Sequence, residues 1–140
     1  MAKERILITD DERHIVRLVQ VNLTREGYIC EVAYDGVECL ERLRDPKKEK
    51  IDLVVLDVMM PRKDGFTVLK EMMADKELEN IPVILLTARA SDQDIFSGWA
   101  SGVSAYLTKP FNPRELLVFT DRILQSVGEE DVADEDVYEV

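Results

Sequence analysis

Five short apolar runs, alternating with longer stretches of helical period, predict an open, doubly wound α/β domain with a five-stranded parallel sheet and five helices. Three of the runs are almost continuously apolar, as strands covered by helices on both faces must be. Four of them end on a polar residue at the carboxyl side, the edge where an open α/β sheet forms its ligand crevice.

The first strand is Arg5-Ile6-Leu7-Ile8-Thr9. A helix follows in which Ile15, Leu18, Val19 and Leu23 share one face, and Gly27 is placed to end it in a left-handed conformation. The second strand, Ile29-Cys30-Glu31-Val32-Ala33, is mixed in polarity and suits a sheet edge. Asp52-Leu53-Val54-Val55-Leu56 is the third strand, and Phe66, Leu69, Met72 and Met73 mark the third helix. Pro82-Val83-Ile84-Leu85-Leu86 is the fourth strand, after which Ser91 and Asp94 resemble a capping box opening a fourth helix. The fifth strand, Ala105-Tyr106-Leu107-Thr108, is mixed again and suits the other edge. Asn112-Pro113-Arg114-Glu115 supplies a fifth helix with a cap, a first-turn proline and a carboxylate facing the orphan amides.

A chain of 140 residues with 46% hydrophobic content can bury one core and leaves little room for a second. No run approaches the roughly 20 apolar residues that span a bilayer, and Met1-Ala2-Lys3-Glu4-Arg5 lacks a signal-peptide layout. Cys30 and Cys39 fit neither a metal site nor a disulfide framework, so a reducing cytoplasmic setting is expected, with no membrane partner. The net charge of -11 is uneven: from Gly128 onward there are seven acids and no base, which leaves -4 for the body. That balance argues against direct nucleic-acid binding, which relies on clustered Lys and Arg. Residues 4–127 are therefore read as the domain, and 128–140 as an acidic tail that is solvated, an intramolecular mimic competing for a basic partner, or a linker stub.

The polar strand ends are Asp10-Asp11, Asp57, Thr87 and Lys109. Three crowded carboxylates repel one another unless a cation sits among them. Oxygen-only ligands, without nearby His or Cys, select a hard cation, Mg2+ first and Mn2+ as its substitute. Asp57 can then act as a carboxylate nucleophile toward a phosphoryl group, with the metal, the Lys109 ammonium and the Thr87 hydroxyl stabilising the phosphoryl oxygens.

Four motifs carry a resemblance to a known family: Leu7-Ile8-Thr9-Asp10-Asp11-Glu12; Leu56-Asp57-Val58-Met59-Met60-Pro61 with Asp64-Gly65; Leu86-Thr87-Ala88-Arg89; and Tyr106-Leu107-Thr108-Lys109-Pro110-Phe111. In this order and spacing they resemble the bacterial response-regulator receiver domain of two-component signalling, over residues 4 to 127 and in stand-alone form. The resemblance implies a flavodoxin-like sheet of strand order 2-1-3-4-5 and a phosphorylation switch that is not an enzyme acting on other substrates. Asp57 resembles the phosphoacceptor, Asp10 and Asp11 the acidic metal pair, and the Met59 carbonyl a further metal ligand. Lys109 resembles the lysine that pairs with the phosphoryl group, with a cis peptide before Pro110; Thr87 and Tyr106 match the switch pair. The implied partners are a histidine kinase or histidine phosphotransfer protein as donor and a downstream protein target. Signalling would pass through the face of the fourth helix, fifth strand and fifth helix.

On that face the sequence departs from DNA-binding relatives, which carry alternating charges there. Ser104-Ala105 stand in place of an acidic pair, and Phe119 in place of a frequent arginine. Ile95, Phe96, Trp99, Val118 and Phe119 cannot all be buried comfortably, so they form either a docking patch for a partner or, at Trp99, the filling of the core edge. His14 and the two cysteines receive no functional role. The rival classes are an aspartate-nucleophile phosphatase, which would need a second acid two residues after its nucleophile, and a flavin or nucleotide binder, whose first loop Asp10-Asp11-Glu12 would repel phosphate. A third reading keeps the receiver fold but makes the chain a regulator with a lost output domain, and the missing charge network speaks against a close DNA-binding relative.

Overall fold

The structure is a computed structural model and describes residues 3–88 and 103–128, with side chains through Ser126. Five strands, β1 (Arg5–Thr9), β2 (Ile29–Ala33), β3 (Leu53–Asp57), β4 (Val83–Thr87) and β5 (Ala105–Thr108), form one sheet in the order β2-β1-β3-β4-β5. All four pairings are parallel. The two mixed-polarity strands occupy the edges, and the apolar β1, β3 and β4 fill the centre. Four helices are described: α1 (Arg13–Arg25), α2 (Gly36–Arg44), α3 (Gly65–Met73) and α4 (Pro113–Gly128), the last being the fifth expected. The helix expected to open at Ser91 and Asp94 lies outside the described residues, together with Arg89, Ile95, Phe96, Trp99 and the tail beyond Gly128. No helix among the described residues is long and apolar enough to cross a membrane.

Strand alternation divides the interior into two halves. Leu7, Val54, Leu56, Val83 and Leu85 point toward α2 and α3, where Leu40, Val68, Leu69 and Met72 meet them. Ile6, Ile8, Leu53, Val55, Ile84 and Leu86 point the other way, onto Val16, Val19 and Leu23 of α1 and Leu116, Ile123 and Leu124 of α4. On α1 the expected face is corrected at Leu18, which is exposed: Val19 and Leu23 are buried as expected, Ile15 is half-buried against the same half of the core, and Val16 is buried as well. The helix carries more apolar residues than one stripe can hold, and the 16-19-23 spacing is the one that meets the sheet.

Helix ends follow local chemistry. Gly27, at φ 98°, closes α1 with the paired bonds Gly27 N to Thr24 O and Tyr28 N to Leu23 O. Asp64 caps α3 by accepting from Thr67 N, and Asn112 caps α4 by accepting from Arg114 N. The hydroxyl of buried Tyr28 donates to Asp121 and ties the start of β2 to α4; burial, and then that carboxylate, hold the phenol well above its usual range. Tyr28→Phe is expected to lower stability by about 1–2 kcal/mol in urea unfolding, with an unchanged m-value. An unchanged midpoint would mean that the bond adds nothing net.

Candidate functional site

The site forms where β1, β3, β4 and β5 end. Asp10, just past β1, is fully buried; its amide donates to Ala33 O and its Oδ1 accepts from the Glu12 amide at 2.9 Å. The next residue in this bend, Asp11, is exposed. Asp57 closes β3 at 3% exposure. Lys109 follows β5, its amide donating to Thr87 O at 2.7 Å, and the peptide to Pro110 is cis. The lysine Nζ stands 2.9 Å from Asp10 Oδ2, 2.8 Å from Glu12 Oε1 and 3.3 Å from Asp57 Oδ1.

One carboxylate oxygen from each of Asp10, Asp11 and Asp57 lies within 4.8 Å of the others. Asp10 Oδ2 is buried, and the Lys109 ammonium at 2.9 Å is its near cationic partner among the described residues. Three carboxylates, two of them buried, offering oxygens this close together with a single ammonium among them fit a small hard cation. Burial and then the Asp10 charge push the Asp57 carboxyl up to about 7, against the opposing pull of Lys109. Burial alone would lower the Lys109 ammonium, but Glu12, Asp10 and Asp57 outweigh it and hold it above its usual value. Glu12 is held below the usual range by its hydrogen bond and attraction to that lysine.

The loop after Asp57 is held by main-chain bonds, Val58 N to Leu86 O and Gly65 N to Val58 O at 2.8 Å. A Cβ on Gly65 would fall 2.4 Å from the Asp57 carbonyl oxygen, so only glycine lets α3 start this close to the acceptor residue. Met59, two residues beyond Asp57, turns its side chain to solvent at 63% exposure.

Thr87 is fully buried at the end of β4. Tyr106, in β5, is half-buried against the α2/α3 half of the core, and burial raises its phenol. Phe119 is likewise half-buried, packed on the α1/α4 half, while Val118 is exposed on α4. His14 is exposed on α1; Cys30 is half-buried and Cys39 buried, both as free thiols. The structure thus brings together Asp10, Asp11, Asp57 and Lys109, with Thr87 at the end of the adjoining strand. Glu12, the outer partner of Lys109, is a site residue to which the sequence motifs assign no role; its place in an acidic run at the strand end is the one signal it leaves there.

Fold and pocket together define a flavodoxin-like α/β domain with an acidic, lysine-capped cleft at its carboxyl edge. The family model for the response regulator receiver domain matches residues 6–121. The chain is 42% identical over 122 residues to the alkaline phosphatase synthesis transcriptional regulatory protein PhoP of Bacillus subtilis, covering 87% of this chain and 49% of that protein. It is 42% identical over 121 residues to the transcriptional regulatory protein CpxR of Escherichia coli, covering 86% and 49%. Among solved structures, the chemotaxis response regulator CheY4 of Vibrio cholerae superposes with a TM-score of 0.77 at 32% identity, covering 87% of this chain and 99% of that one. A CheY-like receiver domain protein from Methanospirillum hungatei gives 0.80 at 29% identity, covering 92% and 99%. The chain belongs to the response regulator receiver domain family and is a phosphorylation-dependent signalling switch of the two-component kind. It spans about half the length of PhoP and CpxR.

Proposed function

We propose that Asp57 is the phosphoacceptor and that the pocket works with Mg2+ or Mn2+ held by Asp10, Asp11, Asp57 and the Met59 carbonyl. The observation carrying this reading is the buried Asp57 carboxylate, flanked by a second buried carboxylate and reached by the Lys109 ammonium. A carboxylate oxygen of Asp57 attacks phosphorus, the bond to the donor's imidazole nitrogen breaks, and the phosphoryl group stays on the aspartate as a mixed anhydride. The cation would supply charge neutralisation on the phosphoryl oxygens. Lys109, already poised over the pocket, pairs with one oxygen, and the Thr87 hydroxyl donates to another. Tyr106, behind Thr87 in the adjoining strand, is the coupled aromatic, and the face that includes β5 and α4 carries the signal to a protein target. Beyond transferring the group to and from itself, the domain is not an enzyme.

The donor in this reading is a histidine kinase or histidine phosphotransfer protein in the cytoplasm, and the domain acts alone, without direct contact to nucleic acid or membrane. A second reading has a specific observation behind it. The matched relatives are named as transcriptional and DNA-binding regulators and are about twice as long, which favours a receiver that works within a longer DNA-binding regulator.

The deciding experiment is labelling with radioactive acetyl phosphate, with and without Mg2+, in wild type and Asp57→Asn. Base-labile label that requires Mg2+ and is absent from the variant supports the assignment. Equal label in the variant would move the acceptor elsewhere.

A further inference from the structure

Between Asp57 and Gly65 the chain makes a turn that its own residues do not favour. Lys63 N donates to Pro61 O at 2.7 Å, and the residue between them, Arg62, has φ 66°. A γ-turn with positive φ is rare and strained, and arginine has no local preference for it. Something outside the turn must hold it.

Two contacts with the β2–α2 junction do so. The Arg62 guanidinium grips Asp35 with two bonds, Nε to Oδ2 at 2.8 Å and Nη2 to Oδ1 at 3.2 Å. Asp35 is itself immobilised: it is buried, and Oδ1 also accepts from Glu38 N as the cap of α2. Beside it, a Cβ on Gly36 would fall 2.1 Å from the Lys63 carbonyl oxygen, so the first turn of α2 abuts the loop main chain directly. A partly exposed ion pair contributes little to global stability. Here, though, the pair acts on a strained segment only three residues beyond Met59.

We infer that Asp35 and Arg62 form a latch that positions the Val58–Asp64 loop, and with it the Met59 main chain, for cation binding beside Asp57. They are positioning residues, acting through the loop and touching no reacting atom. The cation half of the inference rests on the function proposed above; the loop half does not.

Three variants separate a latch from a merely structural pair. Arg62→Ala removes the guanidinium and keeps the strain, Arg62→Gly removes both, and Asp35→Asn keeps a competent helix cap but loses the charge. Amide exchange is followed without metal, and Mg2+ affinity by nuclear magnetic resonance titration. In Arg62→Ala the Lys63 amide is expected to exchange about tenfold faster, with β1 and β3 amides unchanged, and Mg2+ to bind about tenfold more weakly. Asp35→Asn follows in the same direction, and Arg62→Gly falls between Arg62→Ala and wild type. Loop exchange and Mg2+ affinity within about twofold of wild type in both Arg62→Ala and Asp35→Asn would overturn the latch. So would a fall in unfolding midpoint with loop protection retained, which would leave the pair a structural role only. Wild type failing to bind Mg2+ would refute the cation half and the site reading, while the metal-free exchange comparison would still decide the loop half.

Discussion

Asp57→Asn is expected to make the metal-free protein more stable at pH 8, by roughly 2–4 kcal/mol, while removing its capacity to accept a phosphoryl group. The carboxyl is shifted from 3.8 to about 7 because it is buried beside Asp10. A folded-state value above the unfolded one means that the native protein binds this proton more tightly than the unfolded chain does. Native stability is therefore intact below about pH 4, falls as pH rises through the window from about 4 to about 7, and levels off above it. Asparagine has no such titration. Its advantage should be absent near pH 4 and complete by pH 8, in denaturant unfolding with a chelator present. Millimolar Mg2+ should narrow the gap by stabilising wild type, since a ligand that binds only the native state adds to its stability. Equal stability of the two proteins at pH 8 without metal would show that Asp57 is not held against its charge.

Gly65→Ala is expected to cost about 3 kcal/mol and to lower Tm by about 10 °C. Intrinsic propensity points the other way, because alanine in a helix is favoured over glycine by about 1 kcal/mol. Packing decides the sign. The added carbon would sit 2.4 Å from the Asp57 carbonyl oxygen and 2.8 Å from the Val58 Cα, both main-chain atoms that cannot swing aside as a side chain would. Either α3 retreats and strains the Gly65 N to Val58 O bond, or the end of β3 moves and carries Asp57 with it. Thermal unfolding measures the cost. A variant as stable as wild type would show that the β3–α3 junction is compliant.

Strand positions and the converging rim were legible because both leave one-dimensional marks. Apolar runs such as Leu53 to Leu56 announce buried strands, and Asp57, Thr87 and Lys109 at their ends announce a crevice. The edge placement of β2 and β5 followed from their mixed polarity. The contact between Lys109 and Glu12 bridges 97 positions and has no periodic signature, so it emerged only from the folded chain. The burial difference between Asp10 and Asp11 was equally hidden, because it depends on how the chain turns as it leaves β1. On α1, six apolar residues between Ile15 and Leu23 allow several overlapping stripes, and the seating of the helix on the sheet selects Val16 over Leu18. The Asp35–Arg62 pair joins two loops across 27 positions, and neither residue is unusual in its own segment.

The division of the interior by the sheet has a mechanical consequence. Among the described residues, the apolar group around Leu7, Val54 and Leu56 is separate from the one around Ile8, Val55 and Leu86, with a layer of hydrogen-bonded backbone between them. The domain behaves as a laminate: damage on one side is not relieved by repacking on the other, and losses from opposite sides add. Each half of the interior can therefore drift in composition independently, provided the shared layer keeps its strand register and the placement of Asp57.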